Sequence, residues 1–379
     1  MRLGSGQPAV WKEFTRLVLL TAAAASSLIC TPGLAAENSA LPRIGPDGTS
    51  HLPALDVPLS SFTSPEARRA FIKIFNERLP APAADADIRV RRGYYDRLNR
   101  ALVSRAKELY AVDIEKKAIA GVQAEIITPK EGIATKNRGR VLINLHGGAF
   151  LWGGEGSGGE IESIPIAALG KITVIAVAYR QAPEFKFPAA SEDVASVYRE
   201  LLKDHKARDI GIYGCSAGGI LAAESVAWLQ KEKLPIPGAI GTFCGTANRF
   251  GGDSSYLAPA LTAESPLPGA TTGQMSFTPY FSEADLSDPL VFPANSAKVL
   301  ENFPPTLLIA GSRDFAASAL FHAQEALTNA GVEAELHIWD GMWHAFFMDP
   351  DLPESKEVYR VIVKFFDRHL GRRASRASN

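Results

Sequence analysis

The sequence predicts an α/β protein: a mostly parallel sheet with helices on both of its faces. Three observations carry this prediction. From about residue 120, short apolar runs rich in β-branched residues alternate with stretches of helical period. Two of those runs end directly in small-residue turns, His146-Gly147-Gly148-Ala149 and Gly214-Cys215-Ser216-Ala217-Gly218. The composition, 46% apolar and 21% charged over 379 residues, is globular and long enough for one large α/β domain plus a smaller appendage.

Residues 1–36 stand apart. Arg2, Lys12 and Arg16 precede an apolar run from Leu17 to Ile29, and Gly33, Ala35 and Ala36 follow ahead of Glu37. A basic start, a short apolar run and a small-residue cleavage site describe a secretory signal peptide, so an exported protein, periplasmic or secreted, is expected. The run is shorter than the roughly 20 residues a spanning helix needs, so no stable membrane insertion is expected. A formal net charge of −1 gives no reason to expect nucleic acid as a partner. After cleavage only Cys215 and Cys244 remain, too few for a disulfide framework, and they are expected to pack as thiols. No Cys-x-x-Cys or His-Glu-x-x-His spacing occurs, so no metal is expected.

Residues 37–62 are rich in Pro, Ser and Gly and read as extended. Between Ser64 and Leu79 the residues Phe71, Ile72, Ile74, Phe75 and Leu79 share one helical face, and Ser64-Pro65-Glu66 supplies the start. A second helix is expected over 93–110, from Leu98, Leu102, Ala106 and Leu109. The arginines between those positions read as a solvated face. Strands are expected at 122–128, 140–145, 172–178, 210–214, 238–244, 306–310 and 334–339, with helices at 190–204, 217–232, 317–330 and 354–369. In domain terms, 37–115 is an N-terminal extension with helices, and 116–370 is the main body. Residues 245–303 form a long Gly/Ser/Thr/Pro-rich insertion carrying Tyr256, Phe277, Tyr280, Phe281, Leu290 and Phe292, and a connection that long is usually functional. The tail 371–379 reads as disordered.

Ligands of such sheets sit beyond the carboxyl ends of the strands, so the loops there carry the chemistry. Gly214 to Gly218 has the form of a nucleophile elbow, a sharp strand-to-helix turn that exposes the Ser216 hydroxyl. Consecutive small residues after the strand 140–145 leave backbone N–H groups free to face an oxyanion. Gly147, Gly148 and Ala217 are the expected donors. His146 reads as a loop-organising group, and the glycines at 153–159 lack the Gly-Lys-Ser/Thr of a phosphate loop. Of the seven histidines, only His344 lies between a strand and the last helix, where this chemistry needs a base. Asp314, after the strand 306–310, gives the order Ser, Asp, His that the elbow fold uses, with Asp340 and Asp288 as alternatives.

Taken together, these motifs resemble the hormone-sensitive lipase family of bacterial esterases, a branch of the α/β-hydrolases. His146-Gly147-Gly148-Ala149-Phe150 is similar to that family's His-Gly-Gly-Gly-Phe/Trp box. Tyr179-Arg180-Gln181-Ala182-Pro183-Glu184 is similar to its Tyr-Arg-Leu-Ala-Pro-Glu segment, and Gly214 to Gly219 to its Gly-Asp-Ser-Ala-Gly-Gly elbow. The resemblance covers about residues 120–370. It implies an α/β-hydrolase fold whose N-terminal helices and 245–303 insertion form a cap. Three departures stand out: Ala149 replaces the third glycine, Cys215 replaces the acid before the nucleophile, and Phe315-Ala316-Ala317 replaces a polar stretch after Asp314.

The expected function is therefore hydrolysis of short- to medium-chain carboxylic esters through a Ser216, His344, Asp314 triad and an acyl-enzyme, with no cofactor. Phe150, Tyr280 and Phe281 are the candidate pocket-lining residues. A lactone hydrolase with the same machinery is one alternative. A non-catalytic ligand-binding protein is the alternative of another class, and the presence of His344 argues against it.

Overall fold

A computed structural model describes residues 41–77, 81–83, 85–154, 156–262 and 279–371. Residues 1–36, expected to be a signal peptide, Leu79, Phe277 and the tail 372–379 lie outside the described residues. The chain divides into two compact units, Met1–Val57 and Pro58–Asn379. In the first, β1 (Arg43–Ile44) pairs antiparallel with β2 (Ser50–His51).

The second unit holds an eight-stranded sheet. Its strands are β3 (Val112–Ile119), β4 (Val122–Pro129), β5 (Val141–Leu145), β6 (Thr173–Val177), β7 (Ile210–Cys215), β8 (Ala239–Phe243), β9 (Thr306–Gly311) and β10 (Ala334–Trp339). Their order is β10-β9-β8-β7-β5-β6-β4-β3. The six strands from β10 to β6 pair parallel, and β4 and β3 are antiparallel. The helices are α1 (Pro65–Asn76), α2 (Ile88–Leu109), α3 (Ser157–Gly170), α4 (Ala189–Leu201), α5 (Ala217–Lys231), α6 (Ser254–Thr262), α7 (Ala297–Leu300), α8 (Ala317–Asn329) and α9 (Pro353–His369).

β5, β7, β8 and β9 are buried along their whole length, which is why they read as continuous apolar runs. Alternate residues feed two cores. Val141, Ile143 and Leu145 face α4, α5 and α8, whereas Leu142 and Tyr213 face α1, α3 and α9. This alternation fixes the register and brings the carboxyl ends of the six parallel strands to one edge.

Two elements carried no periodic signal. β3 is an edge strand with exposed Lys116 and Lys117, charges that blunt an unpaired edge and erase the apolar alternation. It also moves the start of the sheet to Val112, inside the expected extension. α3 is buried on nearly every side, so it has no polar face to give a period. Its Gly159 lies where a Cβ would come within 2.7 Å of the Ala176 Cβ, so the glycine allows α3 to pack on β6.

α1 packs on α9, with Ser64 donating its N–H to Glu354 Oε1 (2.8 Å), and α2 packs on α3. Within the insertion, α6 packs on α8. Among the described residues, no helix is long and apolar enough to cross a membrane.

Candidate active site

β7 delivers Ser216 at a backbone φ of 57° and ψ of −119°, directly before the N-terminus of α5. Only a turn this sharp lifts the hydroxyl clear of the sheet, and only glycine fits around it. A Cβ on Gly214 would lie 2.1 Å from Leu145 O, and one on Gly218 would lie 1.7 Å from the same atom. The Ser216 N–H donates to Phe243 O at 2.7 Å, anchoring the turn to β8.

His344 bridges the other two expected residues. Its Nε2 lies 3.0 Å from Ser216 Oγ, and its Nδ1 lies 2.8 Å from Asp314 Oδ1. Asp314 is fully buried, and its Oδ1 also accepts the Ala316 N–H at 2.8 Å. The alternative acids are committed elsewhere. Asp340 accepts the hydroxyls of Ser60 and Ser312, which hold it below the usual carboxylate range, and Asp288 accepts the Leu290 N–H. The Phe315 ring stacks on His344 with centroids 4.2 Å apart, and Phe250 of the insertion meets Phe315 edge-on. On the other side, Trp343 packs against Phe71 and Phe75 of α1, so the loop carrying His344 is wedged between ordered elements.

One expected oxyanion donor is corrected. The Gly147 N–H is already spent: it donates to Glu162 Oε1 at 2.7 Å. The N–H groups of Gly148, Ala149 and Ala217 make no hydrogen bond among the described residues, so the free donors of this loop start one residue later. Ala149 and Phe150 take φ values of 53° and 57°, a left-handed turn that the family's third glycine would adopt without a Cβ penalty. His146 organises this loop as expected. Its Nδ1–H donates to Gly147 O (2.7 Å), its ring stacks on Tyr179, and burial lowers its pKa to about 4, leaving it neutral. Tyr179 in turn donates its hydroxyl to His146 O (2.6 Å).

The candidate pocket residues come together, but as core. Phe150, Tyr280 and Phe281 are 1%, 0% and 3% exposed and pack on one another, with Phe150 and Tyr280 stacked at 4.5 Å. The Tyr280 hydroxyl accepts the Ala190 N–H. Rather than presenting an open wall, these rings form the apolar backing of the oxyanion loop. Two clefts of about 330 and 300 Å³ share Gly153 and Gly154, and neither is lined by Ser216 or His344.

Sequence reasoning missed Glu162, whose carboxylate reaches both the oxyanion loop and the elbow. Its signal was available: it is the one charged residue in the apolar run from Ile161 to Gly170. Cys244, expected to pack as a thiol, brings its sulfur within 4.8 Å of ligand atoms of Asp314 and His344. Cys215 and Cys244 are free thiols, and burial raises the pKa of both. Thiols held protonated are poor metal ligands, and Asp314 and His344 are already paired with each other.

Residues 142–348 match the model of a family described by the α/β-hydrolase fold, more than half of the chain. An acetyl-hydrolase of Streptomyces hygroscopicus is 29% identical over 235 residues, covering 62% of this chain and 77% of the relative. An ethyl acetate hydrolase of Pseudomonas putida is 29% identical over 248 residues, covering 61% and 74%. Among solved structures, esterase E25 superposes with a TM-score of 0.70 at 29% identity, covering 84% of this chain and 98% of its own. A bacterial hormone-sensitive lipase family esterase gives 0.67 at 25% identity, covering 81% and 99%. By this match and these neighbours, the chain belongs to the α/β-hydrolase fold family, within the hormone-sensitive lipase group of bacterial esterases.

Proposed function

We propose that this protein is a serine carboxylesterase for short- to medium-chain esters, acting through an acyl-enzyme. The observation that carries the reading is His344 placed between Ser216 Oγ and Asp314 Oδ1 at 3.0 and 2.8 Å. Ser216 attacks the ester carbonyl as its proton passes to His344 Nε2, and Asp314 holds the imidazole with Nδ1 protonated. The negative charge on the tetrahedral oxygen is met by the N–H groups of Gly148, Ala149 and Ala217, backed by the α5 N-terminus. The bond to the alkoxide breaks as His344 returns the proton to the leaving alcohol. Water, deprotonated by the same nitrogen, then releases the acid.

The names of the acetyl-hydrolase and ethyl acetate hydrolase relatives favour small acyl groups. The Tyr95 ring stacked on Trp152 at 4.0 Å and the Phe250–Phe315 contact support a cap built from the N-terminal helices and the insertion. Export through residues 1–36 belongs to the same proposal, and is checked by N-terminal sequencing of the protein recovered outside the cytoplasm.

The test is hydrolysis of p-nitrophenyl esters from acetyl to palmitoyl by the mature protein and its Ser216→Ala variant. Activity should peak at short chains and fall by about 10⁶ in the variant. Labelling of Ser216 by a fluorophosphonate without turnover of any acyclic ester would redirect the reading to lactones. The absence of both labelling and turnover would sink it.

A further inference from the structure

We infer that Glu162 is a positioning residue for the oxyanion hole: its carboxylate ties the loop after β5 to the nucleophile elbow after β7. This rests on the ester-hydrolase reading above and deepens it. The two limbs that supply the donors come from neighbouring parallel strands, whose pairing ends at Leu145 and Gly214. Beyond that point one side chain from a third element joins them. Glu162 Oε1 accepts the Gly147 N–H at 2.7 Å, immediately before the donor Gly148. Glu162 Oε2 accepts the Cys215 N–H at 3.2 Å, immediately before Ser216 and the donor Ala217. Asn144 Nδ2 donates to the same Oε2 at 3.0 Å, and Tyr213 donates its hydroxyl to the Glu162 backbone oxygen at 3.2 Å, which fixes the residue from below.

The limbs are also in contact. A Cβ on Gly147 would lie 3.0 Å from Cys215 O and 3.5 Å from Ser216 Cβ. A shift of one limb therefore moves its donors relative to the hydroxyl on the other, and donors aimed at an oxyanion work only within a few tenths of an ångström. The family pattern places a carboxylate at position 215. This chain has a thiol there, and a buried carboxylate arrives at the same backbone N–H from α3. Three N–H donors converging on it favour the ionised form, although burial still pushes its pKa up to about 8.

The experiment compares wild type with Glu162→Gln, whose amide keeps the shape but turns a donor toward backbone N–H groups. kcat is measured per serine titrated with fluorophosphonate, together with KM and the affinity of an alkylboronic acid, whose tetrahedral adduct occupies the oxyanion hole. The expected result is kcat lower by about 100-fold, KM within about threefold, and boronate affinity lost in parallel. A purely structural role would lower the titratable fraction and leave kcat per serine intact. Asn144→Ala removes one donor and keeps the carboxylate, which guards against a variant that does not fold. It should lower kcat and boronate affinity about fivefold with KM unchanged. Wild-type kcat in both variants overturns the inference, as does lost kcat with wild-type boronate affinity. Either result with an active wild type leaves the esterase reading standing. An inactive, unlabelled wild type would instead take down that reading.

Discussion

Helices α3 and α5 each carry a glutamate out of water, on opposite faces of the sheet, and the two sites differ in everything but burial. Glu162 of α3 is met by three N–H donors, two of them from the loops that build the active site. Glu224 of α5 is fully buried, and neither of its carboxylate oxygens has a hydrogen-bond partner among the described residues. Burial raises the pKa of both, but only at Glu162 do donors pull the other way. A buried carboxyl is thus not a site by virtue of burial. What separates a working group from a tolerated cost is the set of donors converging on it.

The largest expected effect concerns a third buried carboxylate. Asp314 resembles Glu162 in accepting from a backbone N–H, and differs in touching His344. Asp314→Asn keeps the shape but presents an amide to His344 Nδ1, which favours the wrong tautomer. kcat for p-nitrophenyl butyrate should fall by about 10⁴. A loss under tenfold would remove Asp314 from the triad. The middle effect is the matched pair Glu162→Gln and Glu224→Gln. The first should lose about 100-fold in kcat, whereas the second should stay within twofold, because no donor to the oxyanion depends on it. Equal losses in both would erase the distinction.

The same contrast explains what the sequence disclosed. The meeting of Ser216, Asp314 and His344 was legible because each lies in the turn or loop beyond a strand's carboxyl end, and because Gly214 and Gly218 mark a turn no other residue fits. Which N–H groups of the loop stay free was legible only to within one residue. Nothing local to Gly147 reveals that its N–H is taken by a side chain 15 positions later, from a helix that glycines and all-round burial hid from periodicity. Phe150, Tyr280 and Phe281 were visible as aromatics near the site, but their orientation was not. Which face of a ring is covered depends on partners far apart in sequence, as when Tyr280 packs on Phe150 and caps Ala190.

The smallest effect tests the orphan glutamate through stability rather than rate. Burial raises the Glu224 pKa well above its ordinary value of 4.5. Between 4.5 and the folded-state value, the unfolded chain loses this proton while the folded chain keeps it. The folded state therefore binds the extra proton, and stability falls as pH rises across that interval, by up to about 1.4 kcal/mol per pH unit. Glu224→Met removes the titration and fills the space with a side chain of similar length that needs no donor. Its Tm should match or slightly exceed wild type at pH 5, and the gain should be larger at pH 8, at about 2 °C per kcal/mol for a chain of this size. Glu162→Met serves as the opposing control: it strips an acceptor from three N–H donors and should lower Tm throughout. A gain from Glu224→Met that is equal at pH 5 and pH 8 would mean the carboxyl ionises freely where it sits. A loss would mean it has a partner in the folded protein, and the contrast between the two helices would then rest on geometry at Glu162 alone.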